Sequence, residues 1–364
     1  TCALPISIDK TKRTSIKNTI GIALQEGFNK WAKAGLTAFL SYEYRNFALT
    51  DTTNIPGQRI INNYKESSLS IGGELSKKQG KLLHYNILGE LAIAGEDAGQ
   101  FSVEGRGDLN LRLFGDTVRL DVNAFIKNQN PVFYFRHFQS KHYWWDNNDL
   151  SKIMRTRLEG KLSLDRWGTQ LRAGVENIKN YTYLANTSIP VKDSEGNVTG
   201  FKNNAAVRQH SGNIQIFTAM LQQKLKVGIF HLDGEVAYQK SSEQDILPLP
   251  ELSAYGNLYM KFGLAKKVLQ IEMGADVRYF SKYYAPDYSP VIGQFYNQNP
   301  DDKIEIGAFP IVNVYANLHL KRTRFFIMMY HVNAGSGKSN YFLAPHYPIN
   351  PRMIKFGLSW NFFD

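Results

Sequence analysis

Hydrophobic and polar residues alternate strictly from Lys355 to Phe362, close to the end of the chain. Phe356, Leu358, Trp360 and Phe362 occupy every second position, and the residues between them are polar or glycine. A period of two predicts a β-strand with one apolar and one polar face. An aromatic strand with an unpaired edge tends to aggregate in water, whereas a closed membrane barrel removes the edge. The pattern therefore favours a closing strand with these four side chains facing the membrane, and leaves open the last strand of a soluble sandwich.

The same alternation recurs along the whole chain. In the clearest case, residues 101–113 and 118–127 alternate on either side of Gly115-Asp116. This dipeptide suits a tight turn because glycine tolerates positive φ. Each arm reaches about the length that a tilted transmembrane strand needs, whereas strands of soluble proteins average about five or six residues.

Seven tight turns and a terminal strand predict fifteen strands in this chain. The turns are expected at 29–30, 77–81, 115–116, 165–168, 226–228, 266–267 and 321–324. Longer polar loops are expected at 46–64, 130–150, 185–210, 241–250, 285–305 and 334–350. Short turns on one side and long loops on the other are typical of outer-membrane barrels. The predicted fold is therefore all-β, an antiparallel transmembrane β-barrel of about 15 strands, with 16 or more in the full protein because such barrels usually have even counts.

Aromatic residues cluster where the predicted strands end. Tryptophans near the short turns are Trp31, Trp167 and Trp360, and tyrosines near the long loops are Tyr42, Tyr44, Tyr183, Tyr238, Tyr279, Tyr283 and Tyr284. Two aromatic girdles are expected where rings lie at the two membrane interfaces. The general preference of aromatic residues for strands explains their number better than their positions.

Composition changes this picture little. The chain has 364 residues, a net charge of +11 and 13% aromatic residues, with a mean hydropathy of −0.35. Its apolar runs are shorter than the roughly 18 residues of a transmembrane helix. The lysines and arginines are spread among carboxylates rather than clustered, which argues against nucleic acid as a partner.

The first residues have a separate explanation. Residues 1–7, which read TCALPIS, match the translation of a common sequencing-library adapter. We therefore expect 1–7 to be an artefact and 8–364 to form a single barrel domain that is truncated at its N-terminus. The signal peptide or plug domain that would precede it is then unknown, and Cys2, the single cysteine, does not belong to the protein.

The C-terminal region resembles a known family. Residues 307–318, 321–326, 330–333, 344–348 and 356–362 are similar to the end of the porins of Bacteroidetes-type bacteria. This resemblance implies an integral β-barrel of the bacterial outer membrane with a pore role. It also implies two partners, the outer-membrane lipid and the barrel-insertion machinery, which reads a closing strand of this kind.

Charged residues of both signs occupy the polar positions of the predicted strands. If the apolar positions meet lipid, the side chains that line the lumen are Arg106, Arg112, Arg119, Arg157, Lys161, Arg172, Arg278, Lys321, Glu104, Asp108, Asp121, Glu159, Glu176, Glu272 and Asp276. Such a wall favours passage of small polar solutes, with a mild preference for anions. The alternative is that the charges pair across strands and fill a plugged interior.

Catalytic and metal-binding motifs are missing from the sequence. It contains no HExxH, no paired cysteines and no Gly-x-Ser-x-Gly. His319 and His331 flank one predicted turn and could approach each other, although a lumen-facing or interfacial histidine is the simpler interpretation. We therefore expect no enzyme activity, no cofactor and no metal site.

Together these patterns predict a porin-like channel for passive diffusion of small polar solutes. Three alternatives stay open: the barrel of a TonB-dependent transporter whose plug is missing, an outer-membrane enzyme, and a component of a secretion complex. The solute, the ion selectivity and the oligomeric state do not follow from the sequence.

Overall fold

The computed structural model describes residues 10–29, 33–52, 59–113, 115–140, 142–338 and 340–362. In chain order its elements are β1 (Lys12–Leu24), β2 (Gly35–Thr52), β3 (Arg59–Lys77), β4 (Leu83–Gly95), β5 (Phe101–Leu113), β6 (Asp116–Gln129), α1 (Phe133–Arg136), β7 (His137–Gln139), β8 (Trp144–Asp146), β9 (Ile153–Leu164), a 3₁₀ turn (Asp165–Trp167), β10 (Thr169–Asn186), β11 (Ile189–Lys192), β12 (Val198–Lys202), β13 (Ala205–Val227), β14 (Phe230–Ser241), β15 (Leu252–Leu264), β16 (Leu269–Phe280), β17 (Asp287–Ser289), β18 (Gln294–Tyr296), β19 (Ile311–Leu320), β20 (Thr323–Tyr330), β21 (Phe342–Ala344), β22 (Tyr347–Pro348) and β23 (Met353–Trp360).

Fifteen of these strands form one antiparallel sheet. Their order is β1-β2-β3-β4-β5-β6-β9-β10-β13-β14-β15-β16-β19-β20-β23, so each strand pairs with its neighbours along the chain and β1 and β23 form the edges. The remaining eight short strands form four hairpins, β7–β8, β11–β12, β17–β18 and β21–β22. The predicted all-β antiparallel fold and its fifteen strands are confirmed.

Short turns join the sheet strands at one end. Their described residues are 25–29, 33–34, 78–82, 115, 165–168, 228–229, 265–268 and 321–322. Gly168 and Gly228 have φ of 62° and 61°, a left-handed conformation that glycine adopts without strain. All four short hairpins lie in loops at the other end. The predicted loop 46–64 is shorter than expected, because β2 continues to Thr52 and β3 begins at Arg59.

The sheet has an apolar face that carries no protein layer. Ile20 is 77% exposed, Val175 53% and Phe356 81%. Side chains in register beside them are also apolar, as in the pair Val175 and Phe217. Exposure of so many large apolar side chains in register suits a wall that meets lipid.

Loops from distant strands meet at the long-loop end. The Asn186 N–H donates to the Asn297 carbonyl over 2.8 Å, and Lys303 pairs with Asp245 at 2.6 Å. Residues before β1 and residues 290–294, which follow β17, line a single cavity. The sheet therefore curves so that strands far apart in its order share one mouth.

Some predicted features fall outside the described residues. These are the segment 1–7, Lys30 of the first predicted turn and Trp31 of the predicted girdle. The other two tryptophans, Trp167 and Trp360, are 56% and 58% exposed near the short-turn end. Within the described part of the chain, helices long and apolar enough to cross a membrane are absent.

Candidate functional site

The polar face of the sheet carries most of the side chains that the sequence placed in a lumen. Successive side chains of a strand point to opposite faces of the sheet. The predicted lumen residues on the face opposite the apolar one are Arg106, Arg112, Arg119, Arg157, Lys161, Arg172, Arg278, Glu104, Asp108 and Asp121. Lys321 lies instead in the turn between β19 and β20, with φ of 51°. This face is the candidate functional surface.

The predicted membrane-facing residues of the last strand lie on the other face. Phe356, Leu358 and Trp360 are 81%, 59% and 58% exposed. Phe362 follows the end of β23 and stacks on Trp360, with ring centroids 5.2 Å apart. The aromatic terminus thus extends the apolar face to the short-turn end.

Ion pairs cross the strands on the polar face. Lys161 lies 2.9 Å from Asp121, and Arg155 lies 2.5 Å from Glu176. Between them, the Phe125 ring lies 5.7 Å from the guanidinium of Arg155. Exposed pairs of this kind contribute little stability, so their main effect is to give the wall alternating charge.

Two arginines add positive charge to this wall. Within the described residues, Arg106 and Arg278 have no carboxylate within 4.0 Å. The Arg278 guanidinium lies 5.8 Å from the ring centre of Tyr255. Their charges are therefore available to a solute in front of the wall.

Hydrogen bonds organise the wall farther along the sheet. Asp276 accepts a bond from the buried Asn313 side chain at 2.9 Å. The Tyr315 hydroxyl donates to Asn257 at 3.0 Å. These polar groups are satisfied by each other and still present oxygen and nitrogen atoms along the face.

One long loop folds onto the polar face instead of extending away from it. We call residues 130–152, which connect β6 to β9, the docked loop. Its Phe133 stacks on Phe47 of β2 with centroids 3.7 Å apart. Phe133 is 6% exposed and Phe47 4%, and Leu49 completes this small core.

An ion-pair network fixes the docked loop to the wall. Arg136 pairs with Glu66 at 2.7 Å and with Glu96 at 2.8 Å. Glu66 also lies 3.2 Å from Arg45, which in turn lies 2.6 Å from Asp97. All these side chains except that of Glu96 are at most 16% exposed. Removing one partner of such a buried network is costly because a charge loses its compensation.

The docked loop differs from the ordinary polar loop that the sequence predicts at 130–150. Its run Phe133-Tyr134-Phe135-Arg136 is unusually apolar for a solvated segment. Such a run indicates that the loop buries part of itself. The partner surface on β2 and β3 could not be identified from the run alone.

The expectation that His319 and His331 could approach each other is wrong. His319 pairs with Arg324 beside the short turn, whereas His331 follows the opposite end of β20. His331 is fully buried and its Nδ1 donates to the Asn350 carbonyl at 3.0 Å. In the described part of the chain, metal-type clusters of three or more His, Cys, Asp or Glu side chains are absent.

Tyrosines in the loops contribute neutral hydroxyl groups at the mouth. Burial raises the pKa of Tyr143, Tyr283 and Tyr296. These phenols therefore stay protonated at physiological pH.

An antiparallel wall with an apolar outer face and a charged inner face defines the class of membrane β-barrels. The chain belongs to the family described as "Putative porin", whose model matches residues 5–364. Comparison with curated protein sequences finds no match.

Solved structures share this fold at low sequence identity. The siderophore receptor PirA from Acinetobacter baumannii is 8% identical with a TM-score of 0.62, over 96% of this chain and 54% of that one. The copper transporter OprC is 12% identical with a TM-score of 0.62, over 97% and 59%. The ferric enterobactin receptor PfeA in complex with BCV-L6 is 13% identical with a TM-score of 0.60, over 96% and 54%. This chain thus spans just over half the length of each, and the likeness concerns the fold. Family and fold together support an outer-membrane β-barrel.

Proposed function

We propose that this protein is a bacterial outer-membrane channel through which small polar solutes diffuse passively. One observation carries the proposal: a fifteen-stranded sheet keeps exposed apolar side chains on one face and charged side chains on the other. A polar wall lowers the cost of moving a solute out of bulk water. Barrels of 16–18 strands are wide enough to hold an aqueous channel.

The docked loop sets the size limit in this proposal. It occupies space in front of β2 and β3, where Phe133 and Arg136 hold it. Solutes therefore pass beside it. The outer-membrane lipid and the insertion machinery remain the expected partners, and an origin in Bacteroidetes-type bacteria stays a prediction.

A mild anion preference follows from polar-face arginines that have no ion pair. Arg106 and Arg278 lie on the polar face, and the whole chain carries a net charge of +11. A cation-rich wall raises the local concentration of anions.

Reconstitution of the purified chain in planar bilayers tests the channel. We expect steady ion conductance without any energy source, and swelling of liposomes in small sugars but not in large dextrans. A reversal potential in a KCl gradient should show anion preference, and Arg106→Glu with Arg278→Glu should shift it toward cations. An absence of conductance in correctly folded protein would refute the proposed channel. A preference for cations in the unaltered chain would refute the proposed anion selectivity.

The second candidate is the barrel of an energised transporter. The observation favouring it is the fold shared with siderophore receptors and a copper transporter, of each of which this chain covers between 54% and 59%. Tight, saturable binding of a ferric siderophore by a non-conducting protein would support this candidate, whereas conductance without such binding supports the channel.

A further inference from the structure

We propose that a pocket in the polar wall binds a neutral polyhydroxylated solute the size of one sugar ring. This inference rests on the proposed channel, since it supplies a binding step along the same wall. The pocket lies between β1 and β5 and has a volume of about 220 Å³. Its lining includes Lys17, Ser41, Glu43, Arg45, Ser70 and Glu90.

Small side chains form the floor of this wall pocket. Ser41 of β2 and Ser70 of β3 are in register. Ser68, two residues before Ser70 on the same strand, also lines the pocket. Serines leave room above the sheet where longer side chains would fill it. The depression therefore follows from two adjacent strands, β2 and β3, that place serines side by side.

Larger groups flank the wall pocket along the strands. On the short-turn side, the Phe39 ring lies over Gly72 so closely that a Cβ there would be 2.2 Å from the ring. On the long-loop side, the Arg45–Asp97 ion pair crosses the strands at 2.6 Å. Directly beyond that pair, Phe47 carries the docked loop. A solute that passes the loop meets this pocket next.

Every charged side chain that lines the pocket already has an opposite charge beside it. Lys17 lies 3.6 Å from Glu90, Glu43 lies 3.8 Å from Arg13, and Arg45 holds Asp97. A charged solute would have to compete with one of these pairs. A neutral solute instead uses the free hydrogen-bonding capacity of the same groups.

Hydroxyl groups of a polyol match this arrangement. Each can donate to a carboxylate such as Glu90 and accept from an ammonium such as Lys17, and the Ser70 hydroxyl can act in either role. Hydrogen bonds to charged groups are stronger than those between neutral groups. A volume of about 220 Å³ equals the liquid volume of about seven waters, enough for one ring.

Glucose binding to the full chain in detergent micelles, followed by saturation-transfer NMR, tests the pocket. We expect saturable binding of glucose with weaker binding of gluconate and of glucosamine. Ser70→Leu, which fills the floor, should weaken glucose binding at least tenfold. The matched change Ser253→Leu, on the polar face of β15, should leave it unchanged. Equal binding in Ser70→Leu and the unaltered chain would overturn the proposal.

Glu90→Gln gives a second, nearly isosteric test. It leaves Lys17 without its carboxylate, so the preference should shift from glucose toward gluconate. An unchanged preference would contradict the charge argument. Because NMR binding needs no ion flow, binding by a non-conducting protein would refute only the channel, and conductance without glucose binding would refute only the pocket.

Discussion

Glu26 shows how single side chains connect the short turns. Its carboxylate accepts the backbone N–H groups of Lys78 at 2.6 Å and Gln79 at 3.0 Å. These bonds, chiefly that from Lys78, lower the pKa of Glu26 from its ordinary value of 4.5. A lowered pKa stabilises the folded turn above the ordinary value, and this contribution is lost as the pH falls through the lowered pKa.

Glu26→Gln should remove this pH dependence. At neutral pH, amide exchange at Lys78 and Gln79 should be slower in the unaltered chain than in the variant. At each pH, the exchange rate in the variant is divided by the rate in the unaltered chain, so that the intrinsic effect of pH on exchange cancels. This ratio should approach one in acid. A constant ratio across the titration would show that the carboxylate does not hold the turn.

Gly72 is a residue whose lack of a side chain shapes the wall. A Cβ there would lie 2.2 Å from the Phe39 ring and 2.6 Å from the Gly89 carbonyl oxygen. Gly72→Ala should therefore destabilise the barrel by about 1–3 kcal/mol, the usual cost of overpacking. Gly89→Ala is the matched control, since a Cβ at Gly89 meets nothing within 4 Å. Urea unfolding in lipid vesicles measures both, and equal midpoints would contradict this account.

At the scale of elements, the docked loop is held by a stacked ring pair and by ion pairs of Arg136. The ring pair contacts β2, and the ion pairs of Arg136 reach β3 and the turn after β4. One loop is therefore fixed to three connected strands. Opening of the loop breaks both anchors, so weakening either anchor lowers the cost of opening.

Phe133→Ala should free the docked loop. Loss of a buried phenylalanine costs about 3 kcal/mol or more, so amide exchange over 131–147 should become faster and single-channel conductance should rise. Phe295→Ala, which removes a ring that is 58% exposed, is the control and should change neither. Unaltered exchange in Phe133→Ala would mean that the ion pairs hold the loop alone.

At the scale of the whole molecule, the two faces of the sheet meet different solvents. Val175 is 53% exposed at the middle of β10, whereas its neighbour Gly174 pairs with Thr218 on the polar face. A change of one position along a strand therefore exchanges lipid for water.

Val175→Arg should destabilise the folded barrel in vesicles by about 2–4 kcal/mol, the cost of arginine at the bilayer midplane. Thr218→Arg, on the polar face, should cost much less because the new charge stays hydrated. Denaturant titration of both variants compares them. Equal losses would show that the apolar face does not lie in lipid at this depth.

The sequence alone determined the fold class, the strand count and the division of each strand into two faces. These features depend on a period of two and on turn residues such as Gly115 and Gly168, which are local properties of the chain. Placement of residues such as Arg106 and Asp121 on the polar face follows from the same alternation. Lys321 departs from it because a turn interrupts the strand.

Only the tertiary structure decided which distant groups meet. Three features join segments that are far apart in sequence. They are the stack of Phe133 on Phe47, the ion-pair network through Glu66 and the wall pocket above Ser41 and Ser70. Alternation fixes the direction of a side chain but not the strand opposite it or the loop that folds over it. Those contacts depend on sheet curvature and loop packing, which no local pattern encodes.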